Sequence, residues 1–217
     1  KTHPTMDSPN LGITHDDPGK WVLGTVPVEP DGSAFFRVPS GVIVFFQALD
    51  ANGLAVQTMR SVTHVQPGQT LSCAGCHEPR QRAPAPKPSM GAAREPSKIA
   101  VGPDGSWAMR FDRLVQPVLD RHCVSCHQPQ TNDLQAAQWD LTPAKAYETL
   151  VRYGKPSLTD QVWAGYRRGT SIEGDGIARR SALWALLTQT NGHAKVTLDA
   201  PSRERLSTWM DTYAQRR

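Results

Sequence analysis

Two hydrophobic rhythms divide the 217-residue chain. Between residues 21 and 72, apolar side chains come in short runs at 34–38, 42–49, 54–59 and 61–65. These are broken by Pro30-Asp31-Gly32, Pro39-Ser40-Gly41, Asn52-Gly53 and Pro67-Gly68. Such runs bounded by turn residues read as strands, and turns roughly ten residues apart predict a small antiparallel sandwich. From residue 107 the rhythm becomes helical. Phe111, Leu114, Val115, Val118, Leu119 and His122 form one stripe with the spacing of an amphipathic helix, which Pro117 must kink or restart. Further helices are predicted from Thr142-Pro143 through Val151, closed by Gly154 and Pro156, and from about Ala178 to Gln189. A last helix opens near Asp199-Ala200-Pro201 and carries Leu206, Trp209, Met210 and Tyr213 on one face.

The expected fold class is therefore α+β. Residues 1–20 read as an arm or linker, 21–82 as a β-rich domain, 83–106 as a Pro-rich linker and 107–217 as an all-α domain. The stretch 79–106 holds six of the eighteen prolines, consistent with an extended connection that either runs free or wraps a cofactor.

The chemistry is concentrated in two Cys-x-x-Cys-His motifs, Cys73-Ala74-Gly75-Cys76-His77 and Cys123-Val124-Ser125-Cys126-His127, which use all four cysteines. Each reads as c-type haem attachment, with both cysteines forming thioethers and the His binding iron. A zinc ribbon would bring its Cys pairs within roughly 15–20 residues of each other and needs no His after each pair. A disulfide scaffold suits smaller secreted domains. A thioredoxin-like motif needs a βαβ setting that the pattern lacks. Two covalently attached haems c are the cofactors expected. The amphipathic helix running into the second motif, the helices after it and the aromatic-bearing terminal helix match the cytochrome c plan.

The second axial ligands are less constrained. After His127 the only histidine is His193, following the Asn191-Gly192 helix stop, and no Met precedes the last helix. His193 is the predicted partner of His127; the competing reading is a surface histidine in a polar loop. Bis-His ligation would lower the reduction potential relative to Met/His. For the first haem the candidates are His64, His122, Met59, Met90, Met109, His3 and His15. His64 reads equally as a half-buried strand residue, His122 as a packed core histidine and Met59 as core. An empty distal position stays open. Trp107, Trp139, Trp163, Trp184 and Trp209 read as haem-packing core.

Only 38% of the residues are hydrophobic and 7% aromatic, a thin supply that two porphyrins would supplement. The net charge of +4 suits pairing of Arg with haem propionates better than a nucleic-acid surface. No stretch approaches the roughly 18 apolar residues of a transmembrane helix. The chain begins at Lys1 rather than Met, as expected of a mature product or part of a longer chain. Haem c attachment points to a periplasmic or extracellular location.

The runs GTVPVEPDGSAFFRVPSGVIVFFQALDANGLAVQTMRS, QPGQTLSCAGCHEPR and FDRLVQPVLDRHCVSCH together resemble the C-terminal dihaem region of the hydrazine synthase alpha-subunit family, a planctomycete-type dihaem cytochrome c. The resemblance runs from about Gly24 to the C-terminus. It implies a β-rich middle domain carrying the first haem and a cytochrome c domain carrying a bis-His second haem, with His127 and His193 at the ligand positions. The chain departs from hydrazine synthase at its catalytic haem. There, a tyrosine four residues after the motif His holds the iron, and that His goes to zinc; here the position is Gln81. His77 is accordingly expected as an ordinary proximal ligand, and hydrazine synthesis is not carried over.

The leading expectation is a dihaem electron carrier with both irons six-coordinate, working with redox partner proteins. The alternatives are an enzyme with an open first haem, acting on peroxide or a small nitrogen compound with His64, His122 and Glu78 as acid/base candidates, and a structural haem module of a larger cytochrome complex or homo-oligomer.

Overall fold

A computed structural model describes residues 11–14, 17–75, 85, 88–190 and 192–217. The architecture is a small open antiparallel sheet followed by a mostly helical region.

In place of the expected sandwich, the described residues hold one two-stranded sheet. Strands β1 (Gln47–Leu49) and β2 (Ala55–Thr58) pair antiparallel, with a register irregularity between Ala48 and Leu49. The connecting turn is the one expected at Asn52-Gly53. Asp50 accepts the Asn52 and Leu54 amides at 2.8 and 3.0 Å, and Gly53 adopts φ +74°. Among the described residues the pairing continues beyond the hairpin as single contacts, Phe46 with Met59, Val44 with Thr63 and Gly41 with Val65, and further bridges join Thr25 with Ala100 and Phe36 with Ser97. Two of these bridges bring residues 97 and 100 back alongside the β region. There Arg94 also pairs with Glu29 at 2.6 Å.

The helical region opens with α1 (Phe111–Leu114) and α2 (Gln116–His122), separated at Val115. Pro117 sits in the first turn of α2, where a missing N–H costs nothing, so the proline restarts the helix. Then come α3 (Leu134–Ala137), α4 (Ala146–Val151), α5 (Leu158–Arg168), α6 (Ile177–Arg180), α7 (Ala182–Thr188) and α8 (Ala200–Asp211). The single helix expected from about 178 to 189 is two. Ser181 leaves helical geometry and caps α7 by accepting from Leu183 and Trp184. Asp199 caps α8 by accepting from Ser202.

The core lies between α1, α2 and α8. Phe111 meets Trp209 and Tyr147 edge-on at centroid distances of 5.3 and 5.4 Å. Leu114, Val115, Leu206, Trp209 and Met210 are essentially inaccessible. Of the five tryptophans read as core, Trp209 is fully buried whereas Trp107 and Trp139 are exposed. The β hairpin joins the same core through Leu54. It is held there by Asp211, whose carboxylate accepts the amides of Ala55 at 2.9 Å and Ala178 at 2.8 Å. The Asp211 carbonyl accepts from the Gln47 side chain at 2.8 Å. No helix among the described residues is long and apolar enough to cross a membrane.

Candidate metal centre

The second motif grows out of α2. Cys123 closes the helix by donating its amide to the Leu119 carbonyl at 2.8 Å. Its own carbonyl then accepts the amides of Cys126 at 3.1 Å and His127 at 2.9 Å. This tight turn leaves Cys123 half-buried and Cys126 exposed. Burial, with a smaller contribution from Cys126, pushes the Cys123 thiol up to about 11.

His127 is fixed from two sides. Its Nδ1 lies 3.1 Å from the Ala136 carbonyl, and its own carbonyl accepts the Leu141 amide at 2.9 Å. The Ala136 carbonyl is in turn set by α3, whose start is capped by Asp133 accepting from Gln135 and Ala136. With Nδ1 donating to a carbonyl, Nε2 keeps its lone pair for a metal, the arrangement common to metal-binding histidines.

His193 comes to the same place from the other end of the sequence. Its ring lies 5.7 Å from that of His127, centroid to centroid, with the planes inclined by only 22°. Two imidazoles brought side by side are a donor set that suits a haem iron. The chain reaches this geometry through a two-residue turn. His193 bridges Val196, whose amide donates to the His193 carbonyl at 2.8 Å, and Ala194 and Lys195 between them take φ of 49° and 68°. Left-handed geometry costs a non-glycine residue roughly 1–2 kcal/mol.

The other candidates are dispersed. His122 is half-buried against α8, with Nε2 3.3 Å from Ser202 Oγ. His64 is exposed beside Thr63. Met109 is fully buried, and its sulfur lies 3.1 Å from Thr212 Oγ1; Met90 is exposed and Met59 half-buried. Of the first motif, Cys73 is exposed, while Cys76 and His77 lie outside the described residues, as do His3, His15 and Glu78. Cys73 and Met59 both line an open, largely apolar cleft of about 2570 Å³ on the β side, together with Trp21, Phe46 and Leu71. Among the described residues no group of three or more His, Cys, Asp or Glu could hold a bare metal ion.

Sequence reasoning missed the Ala136 carbonyl and the Ser202 hydroxyl as partners of His127 and His122. An Asp directly before Leu134-Gln135-Ala136-Ala137 is a helix-start signal that would have flagged the first. Nothing in the sequence flags the second.

The family described as hydrazine synthase alpha subunit middle domain matches residues 11–78. That span takes in the β hairpin and the first Cys-x-x-Cys-His motif and stops short of the second. It links the chain to the hydrazine-synthase-alpha-like family in general terms. No curated protein and no solved structure matches the chain.

Proposed function

We propose that this chain is an extracytoplasmic dihaem c-type cytochrome that transfers electrons, with a bis-His second haem. The observation that carries the reading is the paired His127 and His193 beside the Cys123/Cys126 turn, with His127 Nδ1 engaged by Ala136. In this reading Cys123 and Cys126 anchor the second haem and the two imidazoles bind its iron. The helical region around them is a cytochrome c domain built on the crossing of α1–α2 with α8. Cys73, Cys76 and His77 attach the first haem. The haem iron supplies a one-electron couple; the protein supplies ligands, burial and spacing. His122, bonded to Ser202, acts as a packing residue. Redox partner proteins, and assembly into a larger complex, belong to the same reading.

Replacing His193 by Ala tests it directly. The oxidised holoprotein should show low-spin ferric signals in absorption and low-temperature EPR, and His193→Ala should convert about half the iron to high spin. An unchanged spectrum would remove His193 as a ligand.

One observation favours a second reading. The cleft beside Cys73 far exceeds an ordinary small-molecule pocket of about 300–1,000 Å³. A haem attached at Cys73 would leave room next to it, as an enzyme acting on peroxide or a small nitrogen compound requires. A high-spin half of the iron in the unmodified protein would favour this reading, and two low-spin haems would exclude it.

A further inference from the structure

We propose that Gly192, with the tight turn it opens, is the positioning device that aims His193 at His127. The inference rests on the bis-His reading and adds the residues that make it geometrically possible.

Two histidines separated by 66 positions in the chain meet because their segments are locked together on the far side. Segment one is the end of α2, which runs directly into Cys123 and His127. Segment two is the start of α8, which the chain enters from His193 through Val196, buried Leu198 and the cap Asp199. Arg121 binds Asp199 at 2.9 Å, and His122 meets Ser202 at 3.3 Å, so the last residues of α2 grip the first turn of α8. From that grip one strand of chain leads forward to His127 and the other leads back to His193.

The backward path has one tight point. Gly192 has φ +66°, and a Cβ there would run into the Val196 carbonyl oxygen. Its amide donates to the Gln189 carbonyl at 2.9 Å, and its carbonyl accepts from the Gln189 side chain at 2.9 Å, which ties the turn to the end of α7. Beyond His193, Ala194 and Lys195 both adopt left-handed geometry, where such a turn ordinarily uses Asn-Gly. A left-handed pair without glycine persists only where its surroundings hold it. Here the surroundings are the α7 end on one side and the Leu198–Asp199 anchor on the other. The turn therefore works as a short, stiff strut, and a side chain at 192 would push His193 away from the parallel alignment.

The experiment compares three holoprotein variants by EPR, with mass spectrometry to count covalent haems. Ferric haem signals respond to the angle between two axial imidazole planes. The 22° inclination of the rings predicts a rhombic low-spin signal for the second haem. Gly192→Ala should retain both haems yet replace that signal by a more anisotropic low-spin or a high-spin one. Inserting a glycine between Lys195 and Val196 lengthens the turn that holds His193 against Val196 and should do the same. It also keeps the test open if Gly192→Ala does not fold. His193→Ala is the control for the ligand itself. If His193→Ala loses the signal while the glycine insertion leaves it untouched, the ligand stands and the positioning inference is overturned. If His193→Ala leaves the signal unchanged, the bis-His reading fails, and the positioning inference with it.

Discussion

The helical and β regions solve the same problem, burying apolar surface, by different means. In the helical region the chain fills its own core. Phe111, Leu114, Val115, Leu206, Trp209 and Met210 exclude water between α1, α2 and α8, and His127 and His193 are already adjacent on the edge of that packing. In the β region Trp21, Ile43, Phe46, Leu49, Val62 and Leu71 stay exposed, all of them lining a cleft that stays open among the described residues. The contrast indicates where a cofactor would be an accessory to the fold and where it would complete it. A haem beside His127 would insert at a finished scaffold. One attached at Cys73 would lie against surface that otherwise faces water, and burying that surface is itself a stabilising term of about 25 cal/mol per Å².

The comparison breaks first on the core. Trp209 is wholly buried, and its Nε1 donates to the Gln215 carbonyl at 2.9 Å. Trp209→Ala should cost about 3–5 kcal/mol in a denaturant melt. A cost under 1 kcal/mol would mean that the helical core is not the centre of stability. The next test sharpens the contrast. Cys73→Ala with Cys76→Ala should remove one covalent haem and raise amide exchange in the β region by about tenfold or more, while α1, α2 and α8 keep their protection. Loss of both haems in that variant would show that the two regions form one cooperative unit.

The smallest effect is a matter of pH. The Asp160 carboxyl is held below its ordinary value of 3.8 by the Ser157 amide and hydroxyl, and that of Asp199 by the Ser202 hydroxyl and amide. A carboxylate with a depressed folded value contributes stability above its unfolded value and loses that contribution as pH falls through the folded one. The N-terminal turns of α5 and α8 should therefore loosen only below about pH 4. Exchange rates or amide shifts at Ser157 and Ser202 that stay constant down to pH 2 would contradict this.

Much of the helical region was legible because its signals are local. Pro117 marks the restart of α2, Asp199 and Pro201 mark the start of α8, and the apolar stripe from Phe111 to Leu119 is the buried one. α5 escaped notice although Ser157-Leu158-Thr159-Asp160 forms a full capping box at its start. Its inner face carries a buried Gln161 between Leu158 and Val162, which breaks the apolar spacing. Ser181 was read as mid-helix, because a serine that caps and one that merely rides a helix look alike without dihedral angles. The β region was harder still. Its alternating runs and turns invite a sandwich, but strand pairing is long-range, and among the described residues it amounts to one hairpin and scattered bridges. At the candidate centre, His193 was legible by elimination, since no other histidine follows His127. The strained turn that carries it was not, because Ala194-Lys195 bears no turn signature.

The Asp211 carboxylate has a consequence for how such a chain can change over time. One side chain serves amides at 55 and 178, while its carbonyl serves the side chain at 47. A carboxylate so placed ties the hairpin to two helices far along the chain. Swapping the hairpin for that of a divergent relative would import backbone matched to a different anchor. The resulting chimaera would carry a buried acid facing amides out of register. Recombination between the two regions is thus penalised unless the hairpin, the start of α6 and the end of α8 travel together. Drift should leave these three segments correlated even where the chain between them varies freely.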